Sequence, residues 1–140
     1  MSTTIGNLVD RVYREYLEPM DDLQPYTVLT AAVSSTSATT ISFNGDLLTQ
    51  EEEDVMDAGT ILEIDQELMY CTGLDTVNNF VTVVRGVRGT TADSHDIGAI
   101  VKIAPTFTRL AVFNAIKDQI NNLFPTLFAV ETKQLSASTG

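Results

Sequence analysis

The sequence is short of the residues that most often carry chemistry. It has no tryptophan, one cysteine and one histidine in 140 residues. A lone cysteine, Cys71, excludes an intrachain disulfide, so a reducing cytoplasm is acceptable during synthesis. Cys71 alternates with Tyr70 in a strand-like run, which suits a small buried hydrophobe better than a reactive thiol. One His and one Cys do not assemble a usual zinc set within one chain, so no metal and no cofactor is expected. No stretch approaches the roughly 18 apolar residues of a membrane span. The N-terminal MSTTIGNLVDRVYREY lacks the basic and apolar regions of a signal peptide.

Basic residues are scarce as well: eight Lys and Arg stand against 19 Asp and Glu, for a net charge of −11. Phosphate binding is driven by Lys and Arg releasing counterions, so the balance argues against specific nucleic-acid binding and against anionic membranes. The acidity serves solubility, and it suits a surface that nucleic acid passes without sticking.

Apolar residues make up 44% of the chain, enough for the core of one modest domain. Pro19, Pro25, Pro105 and Pro125 punctuate that domain. The expected fold is α+β: an N-terminal helix over 1–18, a small antiparallel β-barrel or sandwich over 26–104, a C-terminal helix over 106–124 and an extended arm over 125–140. In the first helix Ile5, Leu8, Val9, Val12, Tyr16 and Leu17 fall on one face, with Ser2 or Thr3 as cap. Pro19 ends it. Tyr26–Val33 and Thr39–Phe43 read as partner strands. Asn44-Gly45 marks a turn.

Gly59–Lys102 is the centre of the β-module. Thr60–Asp65 continuing into Glu67–Thr72, then Phe80–Arg85, then Ala99–Ala104 are rich in Val, Ile, Tyr, Phe and Thr. Asn78-Asn79 makes Leu68–Val84 a hairpin. Arg85–Gly98 is a long polar loop with three glycines, a length that tends to be functional. After Pro105, Phe107, Leu110, Phe113, Ile116, Ile120 and Leu123 form an apolar stripe that Pro125 closes.

Several clusters invite a chemical reading. Asp93, Ser94, His95 and Asp96 hold the residue types of a catalytic triad, but neighbours on a loop rarely converge, and a hydrogen-bonded turn is the simpler reading. Gln50–Asp54 offers consecutive acids that point in different directions, so a solvated loop or short helix is favoured over a cation site. Glu63, Asp65 and Glu67 share one face of a regular strand. They read as an outward polar face rather than a glycosidase pair, since no tryptophan platform exists. Arg85-Gly86-Val87-Arg88-Gly89-Thr90-Thr91 lacks the P-loop spacing. Its arginines suit either local pairing or an acidic partner surface, the nearest being another copy of this chain.

At these residues the chain resembles a known module. Gly59, then Ile64-Asp65-Gln66-Glu67-Leu68-Met69, then Val83-Val84-Arg85-Gly86-Val87-Arg88-Gly89-Thr90, then His95 and Gly98 before Ile100-Val101, is similar to a β-module of tailed-bacteriophage virion proteins. The likeness covers about a third of the chain. The flanks TIGNLVDRVYREYL and FTRLAVFNAIKDQINNLFPTLF resemble the helices of head–tail connector (adaptor) proteins.

The resemblance implies a non-enzymatic structural protein. It would form a homo-oligomeric ring, twelve-fold in the particle, under the portal protein and against neighbouring neck or tail rings. DNA would pass through its lumen. It would reside in the virion neck or tail, and in the host cytoplasm during assembly. Candidate interface residues are Arg85, Arg88, His95, Tyr13, Tyr16 and Phe128, with 125–140 as a docking arm. The alternatives are a baseplate or tail-tip attachment protein, a small hydrolase using Ser94 and His95, and a carbohydrate-binding module.

Overall fold

A computed structural model of the chain describes residues 4–17 and 24–137, with side chains through Leu123. The expected Ser2 or Thr3 cap, most of the Met20–Pro25 connector and the side chain of Phe128 lie outside the described residues. The fold is α+β. It divides into two units, Pro19–Thr108 and the flanking helical segments.

The first unit is a single antiparallel sheet. Its strands are β1 (Tyr26–Val28), β2 (Thr40–Ser42), β3 (Ile61–Ile64), β4 (Glu67–Asp75), β5 (Phe80–Val84) and β6 (Ile100–Ile103), in the order β1-β6-β3-β4-β5-β2. The sheet curls until its edge strands meet at one bridge, Leu29 to Phe43. There Thr30 N–H donates to Ser42 O at 3.1 Å and Asn44 N–H to Val28 O at 2.9 Å. Tyr26–Val33 and Thr39–Phe43 are therefore neighbours only at this seam. Their full ladders are with β6 and β5 respectively.

The first β-rich run is two strands, not one. Asp65 and Gln66 make a two-residue turn, with Asp65 at φ 54°, and Ile64 faces Glu67 across it. The Leu68–Val84 hairpin forms as expected. Asn79 takes φ 55°, and Asp75 accepts from the Val77 and Asn78 N–H groups at 3.1 and 3.0 Å. A bulge shifts the β4–β5 register between Cys71 and Gly73.

Alternation sets the core. Leu62, Ile64, Met69, Cys71, Val81 and Val83 turn inward and join Leu29, Ile41 and Phe43. Cys71 is buried, and its thiol donates to Met56 O at 3.4 Å. Burial pushes that thiol's pKa up. The acidic stretch folds as a short helix, α2 (Gln50–Val55), as expected. Thr49 caps it in a reciprocal box with Glu52.

In the other unit, α1 (Ile5–Val12) is capped by Thr4, whose hydroxyl accepts from Asn7 N–H, rather than by Ser2 or Thr3, and it runs into a wide turn over Tyr13–Leu17. The helix after Pro105 is α3 (Arg109–Ala137), 29 residues long. It runs through Pro125 rather than stopping there, so the expected extended arm is helical as far as Ala137. A proline inside a helix removes one N–H donor and crowds one carbonyl, and helix-forming neighbours on both sides carry it. Arg109 pairs with Asp10 and lies over the Tyr13 ring, 5.5 Å from its centroid.

Candidate functional site

Among the described residues one cluster of charged side chains is buried, and it sits at the end of the sheet's inward face. In β4 the inward positions are Glu67, Met69 and Cys71; in β5 they are Val81 and Val83, with Arg85 next in phase. The same alternation that fills the core thus delivers a carboxylate and a guanidinium to its edge. His95 arrives from the long loop, held by a two-way bridge: Val33 N–H to His95 O at 2.8 Å and His95 N–H to Val33 O at 2.9 Å.

The three side chains close on one another. Arg85 Nε and Nη2 fork onto the two Glu67 oxygens, each at 2.7 Å. Glu67 Oε1 also accepts from Gly86 N–H at 2.9 Å, and Oε2 from Asp93 N–H at 3.0 Å. His95 Nε2 stands 2.9 Å from Glu67 Oε2, and Nδ1 stands 2.8 Å from Asp65 Oδ2. The remaining Arg85 donors reach the carbonyls of Ser35, Ala38 and Asp93. All five guanidinium N–H groups therefore have acceptors. Side-chain exposure is 5% for Arg85, 1% for Glu67 and 2% for His95.

The electrostatics follow from this saturation. Burial pushes the Glu67 carboxyl up, but hydrogen bonds from Arg85, the Asp93 N–H, His95 and the Gly86 N–H outweigh it and hold the group down at about 2, against an ordinary 4.5. Near neutrality Glu67 is an ionised acceptor with its lone pairs occupied, so it is not poised to exchange protons. The cluster instead ties three turns together: Ser35–Ala38, the Asp65-Gln66 turn and the loop from Gly86 to His95.

The glycines and Thr90 of the loop serve the same geometry. Gly86, Gly89 and Gly98 have φ of 61°, 85° and 82°. A Cβ on Gly86 would lie 3.1 Å from Ala92 N and 3.2 Å from Thr90 O. Thr90 Oγ1 accepts from Leu68 N–H at 3.1 Å and donates to Val87 O at 2.8 Å.

The placement of the sequence-derived candidates divides cleanly. Arg85 and His95 turn inward and their polar atoms are engaged within the chain, which answers the choice between local pairing and a partner surface for Arg85. Tyr13 is buried within the helical unit, at 3% exposure. Arg88, at φ 56°, and Tyr16 are exposed. Ser94 N–H donates to Asp93 Oδ1 in a local turn, and both His95 nitrogens face carboxylates from β4 and the turn before it. Asp93, Ser94, His95 and Asp96 do not converge as a triad.

The expected outward face of Glu63, Asp65 and Glu67 is corrected. Glu63 and Glu67 are buried at 3% and 2%, while only the Asp65 side chain is open, at 65%. The hairpin turn at Asp65 breaks the single-strand phase on which that expectation rested. Glu63 lies on the face opposite Leu62, in register with Lys102 of β6. Glu67 was expected outward, and the signal for its burial is its phase with Met69 and Cys71.

Among the described residues no cluster of His, Cys, Asp and Glu is arranged to hold a metal, and no helix is long and apolar enough to cross a membrane. No family model and no curated protein matches the chain.

Proposed function

We propose that this chain is a structural protein of a tailed-phage particle, an adaptor of the head–tail connector joining portal to tail. The observation that carries the reading is the cluster of Glu67, Arg85 and His95. The residues of the phage-like motif that look most chemical close on one another in the interior and stiffen a β-module, as suits a part that works by shape. Asp65, Gly86, Gly89, Thr90 and Gly98 of the same motif serve the turns around that cluster. The β-module forms the body of the ring, and the helices make its joints.

The charge of −11 gives the ring acidic walls, along which DNA slides because no counterions are released. Identical acidic subunits repel, so the portal serves as the template for assembly. Light scattering on the purified protein, alone and with a candidate portal ring, tests this. Monomer alone at moderate salt and a discrete larger ring with the portal is the expected result. A stable trimer or hexamer that ignores the portal moves the protein to the baseplate or tail tip.

A further inference from the structure

We infer that α3 is a self-association helix, packing against α3 of at least two further copies of this chain. From Phe113 onward its apolar residues recur at alternating spacings of three and four: Phe113, Ile116, Ile120, Leu123, Leu127, Val130. That is a heptad seam, the pattern by which helices pack along one another. Within the described side chains most of the seam is open: Phe113 is 36% exposed, Ile120 41% and Leu123 57%, while Ile116 is half-buried. Arg109, which engages Asp10 and Tyr13, lies before the seam begins.

Charge and area say what covers the seam. The α3 segment carries Arg109, Lys117 and Lys133 against Asp118 and Glu131, a net +1. Of the total −11, −12 therefore lies elsewhere. Copies of so acidic a chain repel everywhere except along this helix, which makes it the surface where they can meet.

The seam from Phe113 to Val130 spans roughly 26 Å at 1.5 Å per residue. A stripe of that length and about 10 Å wide gives roughly 260 Å², well short of the roughly 800 Å² per partner of a standard interface. A bundle in which each helix touches two neighbours doubles it, so more than one partner helix is needed to approach that area. Leu110, just beside the seam, widens the apolar face as a bundle requires.

The inference is independent of the neck reading, because a tail-tip component would use the same seam and the test needs no portal. Sedimentation equilibrium of the full chain is measured at low salt and at about 1 M NaCl, where the Debye length falls to about 3 Å. The expected result is monomer at low salt and association into trimers or larger at high salt.

The double variant Ile120→Asp/Leu123→Asp should weaken that association at least about tenfold, a change of about 1.4 kcal/mol. Asn121→Asp/Asn122→Asp adds the same charge off the seam and should leave it within about twofold. Thermal melting of the β-module shows that both variants fold. A wild type that stays monomeric or stops at a dimer at high salt, a seam variant that associates like wild type, or two doubles with equal effect overturns the inference.

Discussion

Glu67 shows how one residue can be costly and stabilising at once. Taking a carboxylate to 1% side-chain exposure is unfavourable, and only the saturation of both oxygens reverses the sign. Its folded pKa of about 2 lies below the ordinary 4.5. A depressed carboxylate contributes stability that is fully present above about pH 4.5 and is lost as pH falls toward 2. The shift corresponds to about 3 kcal/mol. Urea denaturation between pH 6 and pH 2 should show that loss for wild type and a much flatter profile for Glu67→Gln. At neutral pH, Glu67→Gln should cost about 3–5 kcal/mol, because Arg85 keeps its burial and loses its counter-charge. A cost under about 1 kcal/mol would mean the ion pair is not the keystone of the turns.

Gly86 is the second residue-level test. Its φ of 61°, with backbone atoms 3.1 and 3.2 Å from the place a Cβ would take, makes any side chain there strained and tightly packed. Gly86→Ala should destabilise by about 1–3 kcal/mol and shift the denaturation midpoint without changing its slope. Gly89, also at positive φ but with nothing within 4 Å of its Cβ position, should be the milder site.

At the scale of elements, the hairpin and the helix cap follow their sequence signals and proline does not. Asn78-Asn79 turns the chain where turn chemistry says it should, and Thr49 with Glu52 caps α2 from within four residues. Pro125 carries an equally strong stop signal, and α3 passes through it. Removing it should therefore relieve a helix that already exists: Pro125→Ala should leave helical circular dichroism nearly unchanged and stabilise α3 by up to about 3 kcal/mol. A large gain in ellipticity at 222 nm would show that the segment beyond Phe124 is not helical in solution.

At the scale of the whole molecule, the distribution of charge dominates. Nineteen acids against eight bases place strong self-repulsion on the body of the chain, and salt relieves it. The melting temperature of the monomer should rise between about 20 and 200 mM NaCl, over which the Debye length shortens from tens of ångströms to under 10 Å. Differential scanning fluorimetry measures this directly. A melting temperature that falls with salt would show that attractive surface pairs such as Arg11–Glu15 outweigh the net charge.

Local features were legible in the sequence because their causes are local. The α+β class, the apolar stripes, the 68–84 hairpin, the short acidic helix and the burial of Cys71 each follow from residues within a turn or two of one another. The tertiary structure alone decided that Glu67, Arg85 and His95 meet. Alternation and the 68–84 hairpin bring Glu67 and Arg85 to one end of the sheet, but they do not show that the loop after Arg85 folds His95 back onto the pair. It also decided that β1 ladders with β6 and β2 with β5, leaving the nearer pair to touch at one bridge. The reason is physical: strand neighbours are chosen by which ladders bury the most apolar surface together. That choice sums over residues far apart in the chain and leaves no mark on any one of them.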